Sequence, residues 1–428
     1  MKARFSHLLL IALLLAGFAS AQGTFLSGSN GNDGALDYSK VASGTYNFDP
    51  ATFGPQPLDP SGDNIFNFTT INIPAGTTVN LTSTLLRNKP VIWLSQGAVT
   101  IAGTLNLNGD SAPNLESYGV DWIDYRVPTL GGPGGFPGGV GARPGSPAFP
   151  GLGPGGAPVQ TSPSCPSGGY GSFASAGYGT PAGSTYGNIQ LVPLIGGSGG
   201  SGGCVAASDT ATDAAGGTGG GGGGAIRIVS STSISVTGLI SAVGGNGGQG
   251  RSGGAPGGGG AGGAIHLIAP TITGNGTLYA YGAGGATGYG YIALNAANNT
   301  FTGSDTAGDV VPTIRPLVAP PLPTFASVPT VTITSVNEVS VAQPPQGAFE
   351  TPDVTINSAN AVTIAIAAVG VPIGTVVQLN IQSELGPDQN ISCNPLVATP
   401  PSSTTNSTAT CSATFPTSVS RILASASW

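Results

Sequence analysis

The chain is predicted to be all-β: a parallel β-solenoid (β-helix) with glycine-rich insertions, followed by an immunoglobulin-like β-sandwich. Three observations predict it. Stretches starting at Val91 (VIWLSQGAVTIAGTLNLNG), Ala225 (AIRIVSSTSISVTGLISAVGG) and Ala264 (AIHLIAPTITGNGTLYAYG) carry one pattern of alternating apolar residues. The offsets between them are nearly constant. Ile226 matches Ile265 at 39 residues and Gly238 matches Gly276 at 38. Ile92 and Leu94 map onto Ile226 and Ile228 at 134, and Val99, Gly103 and Leu105 onto Ile234, Gly238 and Ile240 at 135. Such spacing is that of a stacked repeat, in which each unit covers its apolar face only against the next. Finally, the composition changes beyond residue 329: glycine thins out and short alternating strands recur.

The first residues predict export. Lys2 and Arg4 precede an apolar run at residues 8–18 and the small residues Ala19-Ser20-Ala21, the pattern of a signal peptide cleaved after Ala21. The apolar run is too short to span a bilayer comfortably, and no later segment is longer. The expected destination is therefore secreted or cell-surface, with no transmembrane segment in the mature chain.

Composition narrows the partners. Only 7% of residues are charged, with 11 basic against 18 acidic and a net charge of −7. No basic patch is present to neutralise phosphates, which argues against nucleic acid and anionic membranes. Glycine (73) and proline (36) together approach low-complexity levels. The regular Val/Ile/Leu alternation nonetheless argues for ordered strands joined by glycine-rich segments.

Residues 22–62 read as a turn-rich N-terminal cap. Asn30, Asn32, Asp33 and Asp37 lie among glycines there, a weak echo of calcium loops; ordinary turns with Asx hydrogen bonds are the favoured reading, and no metal is expected. From Ile65 the strands begin, with Phe66, Phe68, Ile71, Ile73, Val79 and Leu81 alternating with polar residues. Gly103, Gly238 and Gly276 mark bends where the coil turns a corner. The solenoid is expected over residues 63–309. Its glycine-rich runs at 131–163, 196–224 and 244–263 are expected as flexible loops or polyproline-II segments bulging from one side. A collagen register breaks at Pro144.

Residues 310–329 form a proline-rich linker, and 330–428 the sandwich. Strands are expected at VTIT, VSVA, VTIN, VTIAIAA, VVQLNIQS, ATCSATF and RILASASW, starting from Val331, Val339, Val354, Val362, Val376, Ala409 and Arg421. The four cysteines of an exported chain read as two disulfides. Of three connectivities the simplest is Cys165–Cys204 with Cys393–Cys411, the latter a staple beside neighbouring strands.

The run FNFTTINIPAGTTVNL, then PVIWLSQGAVTIAGTLNLNG, a GGPGGFPGG insert and GGGGGGAIRIVSS resembles a group of exported glycine-rich bacterial proteins. That resemblance covers roughly residues 63–285 and implies a right-handed parallel β-helix; the tail resembles a small β-rich domain of secreted bacterial proteins. It implies no activity, catalytic residue or cofactor.

The leading functional expectation is a non-catalytic structural or adhesive surface protein, with polysaccharide as its partner and no catalytic residue or cofactor. Tyr170, Phe173, Tyr178 and Tyr186, set among glycines, are the candidate surface-contact residues. The alternative is a polysaccharide lyase or glycoside hydrolase on a β-helix scaffold. Asp121 and Asp124 are its candidate acids, because paired carboxylates beside aromatics suit glycoside chemistry. Arg227 and His266 occupy equivalent positions on adjacent coils and are expected as solvated side chains on an outward face. Without a carboxylate to orient it, His266 is a poor general base. Ice binding is disfavoured by the lack of a strict TxT ladder.

Overall fold

The computed structural model describes residues 25–53, 58–59, 62–159, 165–178, 182–206, 209, 211–285, 288–306, 309–311, 330–343, 345, 351–399, 403 and 406–426. The predicted leader and residues 312–329 of the proline-rich linker lie outside them. The described chain is all-β, with short 3-10 turns as its only helical elements.

Sixteen parallel strands occupy the first part: β1 (Ala35–Asp37), β2 (Thr45–Asn47), β3 (Ile65–Phe68), β4 (Thr70–Ile73), β5 (Thr78–Asn80), β6 (Val91–Ser95), β7 (Val99–Ile101), β8 (Thr104–Asn106), β9 (Ala225–Ser230), β10 (Ser233–Val236), β11 (Leu239–Ser241), β12 (Ala264–Gly274), β13 (Thr277–Tyr279), β14 (Tyr291–Phe301), β15 (Ser304–Thr306) and β16 (Asp309–Val311). They stack in three columns. One contains β3, β6, β9, the first halves of β12 and β14, and β16. The second contains β1, β4, β7, β10 and the remaining halves of β12 and β14. The third is a separate six-stranded sheet of β2, β5, β8, β11, β13 and β15. Because β12 and β14 run straight through two columns, the ten-stranded sheet goes out along one and back along the other. The resulting wall is nearly closed and barrel-like, more so than the strand–corner–strand coil read from sequence. The chain crosses into the six-stranded sheet at Gly103, Gly238 and Gly276, the predicted corners, and at a fourth glycine, Gly303.

The interior is built from rows of identical position. Leu36, Ile71, Val99, Ile234 and Ile272 follow one another in the second column, and Val79, Leu105, Ile240 and Leu278 in the third. Phe66, Trp93, Ile228, Leu267 and Leu294 form the row of the first. Each such side chain is almost wholly removed from water, a gain of about 1.5–3 kcal/mol apiece before entropy. Aromatic rings close the first rungs, with Phe48 set edge-on to Phe66 and Trp93 at 5.0 and 5.5 Å between centroids. At the other end, Asn299 succeeds Ile272 in its row, so the apolar column terminates on an amide.

Two expectations need correction here. The first rung starts within residues 22–62: Leu36 pairs with Ile71 and Tyr46 with Val79, in strands too short to stand out by alternation. The register of the 91–95 strand is also shifted by one. Val91 and Trp93, not Ile92 and Leu94, sit opposite Ile226 and Ile228, giving the 135-residue offset throughout. A one-residue slip exchanges the faces. Ile226 and Ile265 thus share the main interior, whereas Ile92 and Leu94 belong to a second core with Phe173, Leu191, Leu194 and Ile268. Both faces of this column are buried, so its sequence is a continuous apolar run whose phase alternation cannot reveal.

The glycine-rich runs are not outward loops. They leave after β8, β11 and β13 and return at β9, β12 and β14, and they pack into a bundle against the second core. Hydrogen bonding within it has a period of three. Gly216, Gly219 and Gly222 donate to the carbonyls of Ala142, Gly139 and Phe136. Gly217, Gly220 and Gly223 donate to Ala255, Gly258 and Ala261, and Gly221 and Gly224 to Asp110 and Leu107. Three residues per turn with no internal bonds is the polyproline-II helix, whose amides then serve its neighbours in three directions. A Cβ on Gly220 or Gly222 would overlap the carbonyl oxygens of Gly245 or Gly197, which is why glycine fills these tracts. Of the two sequence expectations, extended segments describe the result and passenger loops do not.

The remaining strands are antiparallel: β17 (Thr330–Val336), β18 (Val339–Ser340), β19 (Val362–Val369), β20 (Val376–Ser383), β21 (Gln389–Pro395), β22 (Val397–Ala398), β23 (Asn406–Ala413) and β24 (Ser420–Ala426). They make a five-stranded sheet, β18-β17-β19-β23-β22, and a three-stranded sheet, β21-β20-β24, around one core. The VTIN segment belongs to no ladder among the described residues, while two further strands, β21 and β22, form where the sequence is polar and interrupted by Pro395. Cys393–Cys411 ties β21 to β23, strands of different sheets rather than neighbours in one. The two parts of the chain meet at a buried ion pair: Arg126 Nη2 lies 2.7 Å from Asp388 Oδ2, and Arg143 Nη1 donates to the Ser383 carbonyl at 2.8 Å. Burial holds the Arg126 guanidinium below its usual basicity, opposed by Asp388.

Candidate functional site

The parallel strands expose two faces whose chemistry follows from period-two alternation. In the second column, Asn72, Thr100, Ser235, Thr273 and Thr300 follow one another on the outer side, beside a row containing Thr70, Ser233, Thr271 and Asn298. In the third, Thr78, Thr104, Leu239, Thr277 and Ser304 form one outer row. Asn47, Asn80, Asn106 and Tyr279 belong to its companion, in which Ser241 is buried. Successive members of a row are about 4.8 Å apart, and partners along a strand about 6.6 Å. The amides cross-link: Asn80 donates to Asn47 at 3.2 Å and Asn106 to Asn80 at 3.0 Å, while Asn72 donates to Asp37 at 3.0 Å. Hydrogen-bonded amide ladders fix side-chain rotamers along the rows. The outcome is a rigid, nearly uncharged array of hydroxyls and amides.

The sequence candidates fall in different places. Arg227 and His266 are side by side as expected, with Arg227 Nε donating to His266 Nδ1 at 3.2 Å. They are buried, not solvated: each has 2% exposure, and Arg227 Nη2 donates to the Leu191 carbonyl at 2.8 Å. The glycine-rich excursion covers this face, which nothing in the local sequence announces. Burial depresses the Arg227 guanidinium to about 10. Phe173 is also fully buried, against Tyr186 and Tyr291, and so cannot contact a surface ligand. Tyr186 is partly buried and donates its hydroxyl to Gly196 O at 2.6 Å. Its burial raises the phenol far above its usual pKa. Tyr178 is 69% exposed and stands edge-on to the half-buried Tyr170 at 6.1 Å.

Asp121 and Asp124 lie in the 3-10 segment Leu115–Tyr125, and their side chains fall outside the described residues. In the N-terminal turn, Asn30 accepts from the Asn32 amide at 3.0 Å and Asp33 from the Asn67 amide at 2.5 Å. Asp37 accepts from the Ser39 amide and hydroxyl, which lowers its pKa. Cys165 pairs with Cys204 and Cys393 with Cys411, fitting an oxidising, extracellular compartment. Among the described residues no helix is long and apolar enough to cross a membrane, and no group of three or more His, Cys, Asp or Glu side chains converges. The polar rows were within reach of sequence reasoning, since TINI, TVN, VTI and TLN put Thr and Asn on one phase. A comparison with known proteins found no matching family model, no matching curated protein and no matching solved structure.

Proposed function

We propose that this chain is an exported, non-catalytic structural or adhesive surface protein whose polar strand faces contact polysaccharide. The reading takes residues 63–309 as a right-handed parallel β-solenoid, 310–329 as a spacer and 330–428 as an immunoglobulin-like domain. The three in-register columns support the first assignment, and the two antiparallel sheets bridged by Cys393–Cys411 the last. In keeping with the sequence resemblance to exported glycine-rich bacterial proteins, the leader at 1–21 delivers it to the cell surface.

The observation that carries the reading is the set of four hydroxyl and amide rows on the two outer faces. Sugar hydroxyls are neutral donors and acceptors, and a fixed array meets them with many individually weak bonds at little ordering cost. Retention of the mature protein on insoluble polysaccharides tests it. Binding to at least one is expected, with at least tenfold weakening when Thr100 and Ser235 are both replaced by Glu. No retention on any polysaccharide would sink the proposal.

A further inference from the structure

The C-terminal unit is unequal, with five strands facing three. Its smaller sheet ends on β24, whose one ladder partner among the described residues is β20. Beside that edge opens a cleft of about 1110 Å³, walled by Ile333 and Val336 of β17, Ile422 of β24, Phe415, Val354 and Ile356. In β24, Ile422, Ala424 and Ala426 turn toward the core. Val354 and Ile356, also two residues apart, pack on the same core, while Thr355 and Asn357 are exposed. The side chains of residues 354–357 therefore already hold the phase of a strand next to β24. What they lack is the ladder: no backbone hydrogen bond joins them to another described residue.

We propose that residues 354–357 are a strap that docks along β24 as the next strand of the three-stranded sheet, closing the cleft. Pro352 bounds the strap on one side because it has no amide to donate. The turn in which the Asn360 amide bonds Ser358 Oγ at 3.2 Å bounds it on the other. An open edge is a template for a foreign strand, and the strap supplies a native one in its place. The occupant is the chain's own segment, since its apolar side chains already sit on the core that β24 faces.

Hydrogen exchange of the full chain tests this. Replacing Thr355 with Pro removes a donor from the strap, and amides of β24 are expected to exchange at least tenfold faster than in the wild type while those of β19 are unchanged. Equal rates in β24 would overturn the proposal. Should that variant not fold, Thr355→Cys combined with Leu423→Cys or with Ser425→Cys gives an independent reading. An intramolecular cross-link on mild oxidation in either pair is expected. Absence of a cross-link in both, or a cross-link only between two copies, would overturn docking within one chain.

Discussion

The stacked sheets and the glycine bundle fill their interiors with opposite material. In the sheets, backbone bonds run between rungs and the space inside is occupied by Leu, Ile, Val and aromatic side chains. In the bundle few side chains remain, and the backbone itself is much of the filling, with most glycine amides bonded to a neighbouring segment. The lesson is that close packing does not require apolar side chains; it requires that buried donors find acceptors. The two regions should fail differently. Deleting volume should hurt the sheets, and adding volume should hurt the bundle.

The largest effect is expected in the sheets. Trp93→Ala removes the biggest side chain of the main core and should lower unfolding stability by about 3–5 kcal/mol in guanidinium titrations. A loss below about 1 kcal/mol would mean the stacked interior is not close-packed. Next, Gly222→Ala adds one methyl against the Gly197 carbonyl and should cost about 3 kcal/mol. The same change at Gly44, where a Cβ meets nothing closer than 3.8 Å, should stay within about 0.5 kcal/mol. Equal tolerance at the two positions would mean that the bundle around Gly222 is not close-packed. A smaller effect distinguishes buried from exposed hydroxyls. Ser201 is fully buried in the bundle and accepts the Gly169 amide at 2.8 Å, so Ser201→Ala should cost about 1–2 kcal/mol. Smallest is Ser235→Ala on the outer face, expected within about 0.5 kcal/mol of wild type, with its effect appearing in polysaccharide retention.

The same contrast explains what the sequence disclosed. Where one strand face meets the core and the other meets solvent, as in TINI and VTI, alternation gave strand, face and register together. Where both faces are covered, as at Val91–Ser95, the apolar run identified a strand but not its phase, and Ile92 was assigned to the wrong core. The bundle was the least legible part. Its order resides in a three-residue hydrogen-bond period between segments far apart in the chain, and a run of glycines carries no side chains to record it. Arg227 and His266 face the same difficulty: Arg227 bonds the carbonyl of Leu191, which is distant in sequence. The polar rows of the candidate site could be read residue by residue, but their alignment required the register.

Filling a domain with backbone has a thermal consequence. Exposure of apolar surface raises the heat capacity on unfolding, whereas exposure of peptide groups lowers it, by about +0.45 and −0.26 cal/K/mol per Å² respectively. Melting the glycine lattice would release mainly peptide surface, so its share of the heat-capacity increment is small or negative. The stability of this region should accordingly vary gently with temperature and fade little on cooling, unlike that of the Leu- and Ile-filled stack beside it.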